Sequence, residues 1–207
     1  MKPAIVTRMA EPRYKADLTA GALKLPESRI VADLLLRNLS DAEWRQAILS
    51  DNVLQTHNPA TATRLTHLIR GRLETMGADL WKLVRDSDQV VATHAVFVAA
   101  LKHSKVLGDF LDLVVREQLR VFNQTLSNKL WEEYLLECRG RDPEMPEWTP
   151  STKDRLRSSV FQILAQVGYI ESTRTLKLQT VFLAPQVLYY CQEHQEDYVL
   201  RCIQVGV

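Results

Sequence analysis

Asp109 and Asp112 lie three residues apart, a spacing that puts both carboxylates on one face of a helix and could hold a metal ion. Leu107, Phe110, Leu111 and Val114 around them mark that helix as core-facing, and the expectation is a solvated aspartate pair rather than a metal site. Cys191-Gln-Glu-His194 has the spacing of half a zinc site, but no second half is evident. Lys102-His103-Ser104-Lys105 closes one helix near the start of another. Cations there stabilise the helix dipole, and phosphate contact is the alternative reading. There is no glycine-rich phosphate loop, no Gly-x-Ser-x-Gly elbow and no His-x-x-x-His pair. The sequence therefore points to no catalytic residue, no metal and no cofactor, and the expectation is a protein that is not an enzyme.

What the chain does offer is cations in two places. No acidic residue occurs between Asp51 and Glu74. At 100° per residue, Ala62, Leu65, Leu68, Ile69 and Leu73 share an inward arc, and Thr63, Arg64, His67 and Arg70 lie opposite. That outward arc is either a phosphate-contacting surface or an ordinary solvated face. Arg72 falls inside the apolar arc and reads as a packed or ion-paired structural residue. The second place runs from Ser151 to Gln179, where Lys153, Arg155, Arg157, Arg174 and Lys177 face only Asp154 and Glu171.

The elements that position these residues are mostly helical. Periodicity predicts helices at about 27–38, 41–50, 59–75, 78–85, 89–103, 106–123 and 128–139. Ser40 and Glu43 form a capping-box pattern, and Asn58-Pro59 starts the next helix. Residues 41–75 thus resemble a helix-turn-helix unit with a tight connection. Residues 1–24 read as an arm docking on a bundle that extends to residue 140. Gly140, Pro143, Pro146 and Pro150 make 140–150 a Pro-rich linker. Beyond it, residues 151–207 predict a helix capped by Ser151 and ended by Gly168. Arg155, Ser158, Ser159 and Gln162 face outward on it. Two strands about Tyr169-Ile170 and Leu176–Leu183 follow, then a last helix from Pro185 to Ile203. Helix, strand, basic turn, strand, helix is the order of a winged helix with a β-hairpin, and Arg174 and Lys177 would sit at its wing. The fold class expected is mainly α: a compact helical bundle with a helix-turn-helix-like unit, then a small winged-helix-like part.

Composition bounds the rest. The 207 residues suit one domain or two small ones, with 26 basic and 25 acidic residues, so any nucleic-acid affinity must come from segregated patches. Three widely spaced cysteines, Cys138, Cys191 and Cys202, argue for a reducing compartment. Met1 to Tyr14 lacks a secretory signal, and the most apolar run, Val90 to Leu101, is too short to span a membrane. A cytoplasmic protein with no transmembrane association is expected. Trp44, Trp81, Trp131 and Trp148 read as core or interface residues.

An ordered set of short segments carries a resemblance. It comprises Tyr14-Lys-Ala-Asp-Leu-Thr-Ala-Gly-Ala-Leu23, Asn58-Pro-Ala-Thr-Ala62, Leu68-Ile-Arg-Gly-Arg-Leu-Glu74, Ala100-Leu-Lys-His-Ser-Lys-Val-Leu-Gly-Asp-Phe-Leu111 and Gly168-Tyr-Ile-Glu-Ser-Thr-Arg174. Together, from about Tyr14 to Tyr190, they resemble the BrxA family of BREX bacteriophage-defence systems. The resemblance implies a small, non-enzymatic, double-stranded DNA-binding component working beside other BREX defence proteins. The family has also been described as NusB-like, which leaves RNA binding open. A protein-only adaptor is the third reading, favoured by an exposed apolar patch near Tyr189 and Tyr190.

Overall fold

The computed structural model describes residues 11–18 and 21–204. The expected arm and signature segments fall partly outside that range, as do Thr19, Ala20 and residues 205–207. The helices are α1 (Leu25–Leu36), α2 (Asp41–Arg45) continuing as a π turn (Gln46–Ser50), α3 (Pro59–Leu73), α4 (Ala78–Asp86) and α5 (Gln89–His103). Then come α6 (Lys105–Asp109), a second π turn (Phe110–Val115), α7 (Arg116–Arg120), α8 (Asn128–Arg141), α9 (Pro150–Val167), α10 (Pro185–Glu193) and α11 (Asp197–Ile203).

The organising element is α5. Asp88 caps it by accepting from the amides of Val90 and Val91, and it runs buried from His94 to Leu101 without a polar stripe. A helix apolar all round must be surrounded, and α1, α3, α4, α9, α10 and α11 all pack on it. At Ser104 the chain bends by 103° into α6. There Phe110 meets Trp131, Tyr134 and Phe161 with ring centroids 5.2, 5.1 and 6.1 Å away, and this aromatic cluster joins α8 and α9 to the core. Tyr14 and Leu18 of the N-terminal segment are fully buried. Met145 and Trp148, within the Pro-rich stretch, are buried as well, each 8% exposed. No single described helix is long and apolar enough to cross a membrane.

The winged-helix expectation is overturned, because no β-strand forms among the described residues. Tyr169 and Glu171 do pair with the later segment, through Gln179 N–H to the Tyr169 carbonyl at 2.9 Å and Glu171 N–H to the Lys177 carbonyl at 2.8 Å. Only an isolated bridge, Ile170 to Leu178, results. The reason is backbone. Leu176 has a φ of +52° and its amide bonds back to the Ser172 carbonyl, so the chain leaves the extended region just where the second strand should start. The alternation of Leu176–Leu183 is never expressed as a ladder. Instead Gln124–Leu126 pairs from the other side, bridging Thr125 to Lys177. The β-hairpin is thus three extended scraps around a polar turn.

Other expectations shift too. The link from the first π turn to α3 runs from Asp51 to Asn58, eight residues against the three or four of a helix-turn-helix, so the tight connection is not there. The cap of α9 is Thr149, not Ser151, because Pro150 takes the first helical position. Ser159 is buried rather than outward. The last helix breaks in two at Gln195, whose φ is +54°. Gly168 does end α9 in a left-handed conformation, at φ +98°.

Candidate nucleic-acid interface

In α3 the Asn58 side chain accepts from Ala60 N–H at 2.8 Å, so the helix start is capped internally. Its amides are spent, and any anion contact there falls to side chains. Thr63, Arg64 and His67 are exposed. Thr63 donates to the Pro59 carbonyl at 3.0 Å. Arg70 is different: it pairs with Glu74 at 2.6 Å and lies 4.3 Å from the centroid of the Trp44 ring, tying α3 to α2. Arg72 is 1 % exposed and donates to the carbonyls of Ala22 and Gly21 at 3.0 and 3.4 Å, a structural strut as its position on the apolar arc implied.

At the second place, Lys153 and Arg155 are exposed at the start of α9. Arg157 pairs with Asp154 at 3.1 Å. Arg174 sits in the Ser172–Thr175 turn, which Ser172 closes by accepting from Thr175 N–H at 3.1 Å. Lys177 follows, exposed, its backbone held by Thr125 and Glu171.

Most other cations are engaged. Lys102 pairs with Glu196, Arg116 and Arg201 with Asp112, and Lys105 lies 3.1 Å from the centroid of the Tyr198 ring. Ser104 is buried and donates to Asp17 at 2.6 Å. The Lys102–Lys105 cluster is therefore committed inside the fold. The aspartate pair is not solvated. Asp109 is buried and accepts from Arg13, Tyr14 and Tyr198 at 2.7, 2.8 and 2.9 Å. Two hydroxyls and a guanidinium thus hold this carboxylate inside the fold. Cys191 is buried, with its thiol pushed up to about 12 by burial, and no cluster of three metal-ligating residues exists among the described residues.

Among the described residues, the exposed cations with no carboxylate or ring partner are Arg45, Arg64, Lys153, Arg155, Arg174 and Lys177. Five of these are sequence candidates. Arg45 was missed: it ends α2 on the far side of the acid Asp51, outside the acid-free stretch that drew attention. Its neighbour Trp44, which holds Arg70, was the available signal. Arg64 and Arg155 project into solvent from α3 and α9, both of which pack on α5.

Comparison with known proteins decides the family. Residues 12–195 match the family described as BrxA. The chain belongs to the BrxA family. It is 54% identical over 199 residues to the BREX protein BrxA of Paramagnetospirillum magneticum, covering 96% of this chain and all of that one. It is 32% identical to the BREX protein BrxA of Escherichia coli O9:H4, covering 82% and 80% of the two chains. A crystal structure of an uncharacterized protein from Magnetospirillum magneticum superposes with a TM-score of 0.89 at 52% identity, covering 94% of this chain and all of that one. A BrxA-family chain thus has its helical fold in common with an experimentally determined relative.

Proposed function

We propose that this chain is a BREX component that binds double-stranded DNA by its phosphates and catalyses no reaction. The observation carrying this reading is the sorting of cations. The fold neutralises most of them internally and leaves Arg45, Arg64, Lys153, Arg155, Arg174 and Lys177 exposed and unpaired. Lysines and arginines without partners are the groups that displace counterions from a duplex. Contacts made to phosphates carry no sequence information, so sequence preference should be weak. The relatives named BREX protein BrxA support membership in a BREX system, with other BREX proteins as partners.

A second reading has its own observation. Tyr189 is 64% exposed beside Pro185 and Leu83, in a cleft of about 670 Å³ between α4 and α10 that Asp79 and Glu193 also line. An exposed aromatic in a cleft suits a protein partner.

The test is equilibrium binding to a duplex, the matching single strand and the matching RNA across a salt series. One variant replaces Arg45 and Arg64 by Ala. A second replaces Lys153, Arg155, Arg174 and Lys177. Duplex preference with a salt slope that falls in either variant is the expected result. RNA preference would transfer the interface to the NusB-like reading, and affinity that stays flat as salt rises would sink both.

A further inference from the structure

Phe122 occupies a position that nothing among the described residues explains. It follows α7 in a Schellman turn: Asn123 N–H bonds to the Gln118 carbonyl at 2.9 Å and Phe122 N–H to the Leu119 carbonyl at 3.1 Å. That turn requires a left-handed residue, normally glycine, and Phe122 has a φ of +57°. A bulky side chain there is strained. The usual compensation is packing, yet Phe122 is 91% exposed and touches no other ring among the described residues. The fold therefore bears two costs at one residue, a strained backbone and a solvated phenyl group.

What surrounds it names the partner. Three residues on, Thr125 bridges to Lys177, and the Leu126 and Leu178 amides bond to the Leu176 and Gln124 carbonyls at 2.9 and 2.8 Å. The reach of three residues is about 10 Å, and paired segments lie about 5 Å apart. Phe122 is thus fixed within about 15 Å of the unpaired Lys177, with Arg174 in the adjoining turn. The nearest acid of that turn, Glu171, accepts from the Thr175 hydroxyl at 3.0 Å. Arg120 beside it is spent on Glu117. A bare aromatic ring on a backbone strapped to free cations matches a polyanion with stackable faces.

We infer that Phe122 is a wedge that enters a base step of the duplex held by Lys177 and Arg174, so that the preferred substrate is DNA that is easily unstacked or kinked. The inference rests on the DNA-binding reading above. Apolar wedges beside cations unstack a step and bend the duplex so that more backbone meets the protein. A mismatch, nick or pyrimidine–purine step lowers that unstacking cost, and such substrates bind more tightly than a stiff A-tract of equal length.

The experiment uses the full chain and 20-base-pair duplexes carrying 2-aminopurine, whose fluorescence rises when it is unstacked. Phe122→Gly is the informative variant because the two roles of the residue have opposite signs. Relief of the left-handed strain raises the melting temperature by about 2–4 °C. Loss of the ring lowers duplex affinity about fivefold or more, abolishes the fluorescence rise and erases the preference for mismatched over A-tract duplex. The salt slope stays as in wild type, since no charge is removed. Phe122→Leu, an apolar wedge without the ring, retains part of the rise. Wild-type affinity and fluorescence in Phe122→Gly, with a normal salt slope, would overturn the wedge and leave the DNA-binding reading standing. Unchanged DNA binding with a change of oligomeric state in Phe122→Gly would assign the ring to a protein contact instead. Absence of binding to any duplex at low salt would remove both.

Discussion

Replacing Gly108 by Ala sets a local rule against a packing constraint. Gly108 lies inside α6, where Ala is favoured over Gly by about 1 kcal/mol. Propensity alone therefore predicts a more stable protein. The packing says otherwise. A Cβ on Gly108 would stand 2.9 Å from Cζ and 3.1 Å from Cε1 of Tyr198, and nearer still to its hydroxyl. Those are ring atoms of a half-buried side chain fixed on both sides: its hydroxyl donates to Asp109 Oδ1 at 2.9 Å and Lys105 sits over its face. Moving the ring removes a hydrogen bond from a buried carboxylate, about 1.5–3 kcal/mol. Overpacking adds about 1–3 kcal/mol. Net of the helix gain, Gly108→Ala should destabilise by about 3 kcal/mol, a fall in Tm of about 6–12 °C. The assay is thermal melting of Gly108→Ala, Tyr198→Phe and the double variant. Without the hydroxyl the inserted methyl meets less, so the double variant should fall short of the sum of the singles by about 1–2 kcal/mol. A Tm for Gly108→Ala at or above wild type would refute the claim that Tyr198 is pinned between Gly108 and Asp109.

Two further outcomes follow from buried groups. Burial raises the Asp17 carboxyl from 3.8 to about 6, against the opposing hydrogen bond from Ser104 and the charge of Arg72. A raised carboxylate pKa means the folded state binds the proton more tightly, so this group's contribution is present below about 4 and is lost as pH rises through about 6, by about 3 kcal/mol. Urea melts of Asp17→Asn between pH 4 and 7 should be flatter with pH and more stable at pH 7, and curves parallel to wild type would contradict the assignment. Cys138, Cys191 and Cys202 are all buried, with thiols pushed up to about 11, 12 and 12 mainly by burial. A chromogenic disulfide reagent at pH 8 should therefore label none in the native protein and all three after unfolding, and rapid native labelling of any one would show that its burial is wrong.

Helix positions were legible because they depend on local signals: the Ser40–Glu43 box, Asn58-Pro59 and Gly168 are all used by the fold. The strands were not, because alternation in Leu176–Leu183 is a statement about faces and says nothing of φ at Leu176. A strand needs a partner of matching length, and Tyr169–Glu171 offers three residues before the turn. The break at Gln195 was hidden for a related reason, since no Gly or Pro marks it. For the interface, sequence could find cations on an outward arc but could not see their partners. Arg70 and Arg64 lie on the same arc of α3, and only the structure shows Arg70 held by Glu74 and Trp44 while Arg64 is free. Asp109 and Asp112 were misplaced because most of their partners, Arg13, Tyr198 and Arg201, come from about ninety residues away, and only Arg116, one turn beyond Asp112, is local.

The distinction between free and engaged cations gives the salt dependence a ceiling. Each phosphate neutralised contributes about −0.9 to the slope of log affinity against log salt. Six free cations among the described residues bound the slope at about −5. Arg45 and Arg64 alone would give about −2, and the four at the second place about −4. A measured slope near −5 thus requires one duplex to meet both places at once. A slope near −2 or −4 says that one place binds and names which. Arg70→Ala enters this arithmetic as a control, because a guanidinium already spent on Glu74 releases no counterion. It should leave the slope where Arg64→Ala lowers it by about 1. If the two substitutions change the slope equally, ion pairing does not select the contacts, and the reasoning that separates the free cations from the rest fails with it.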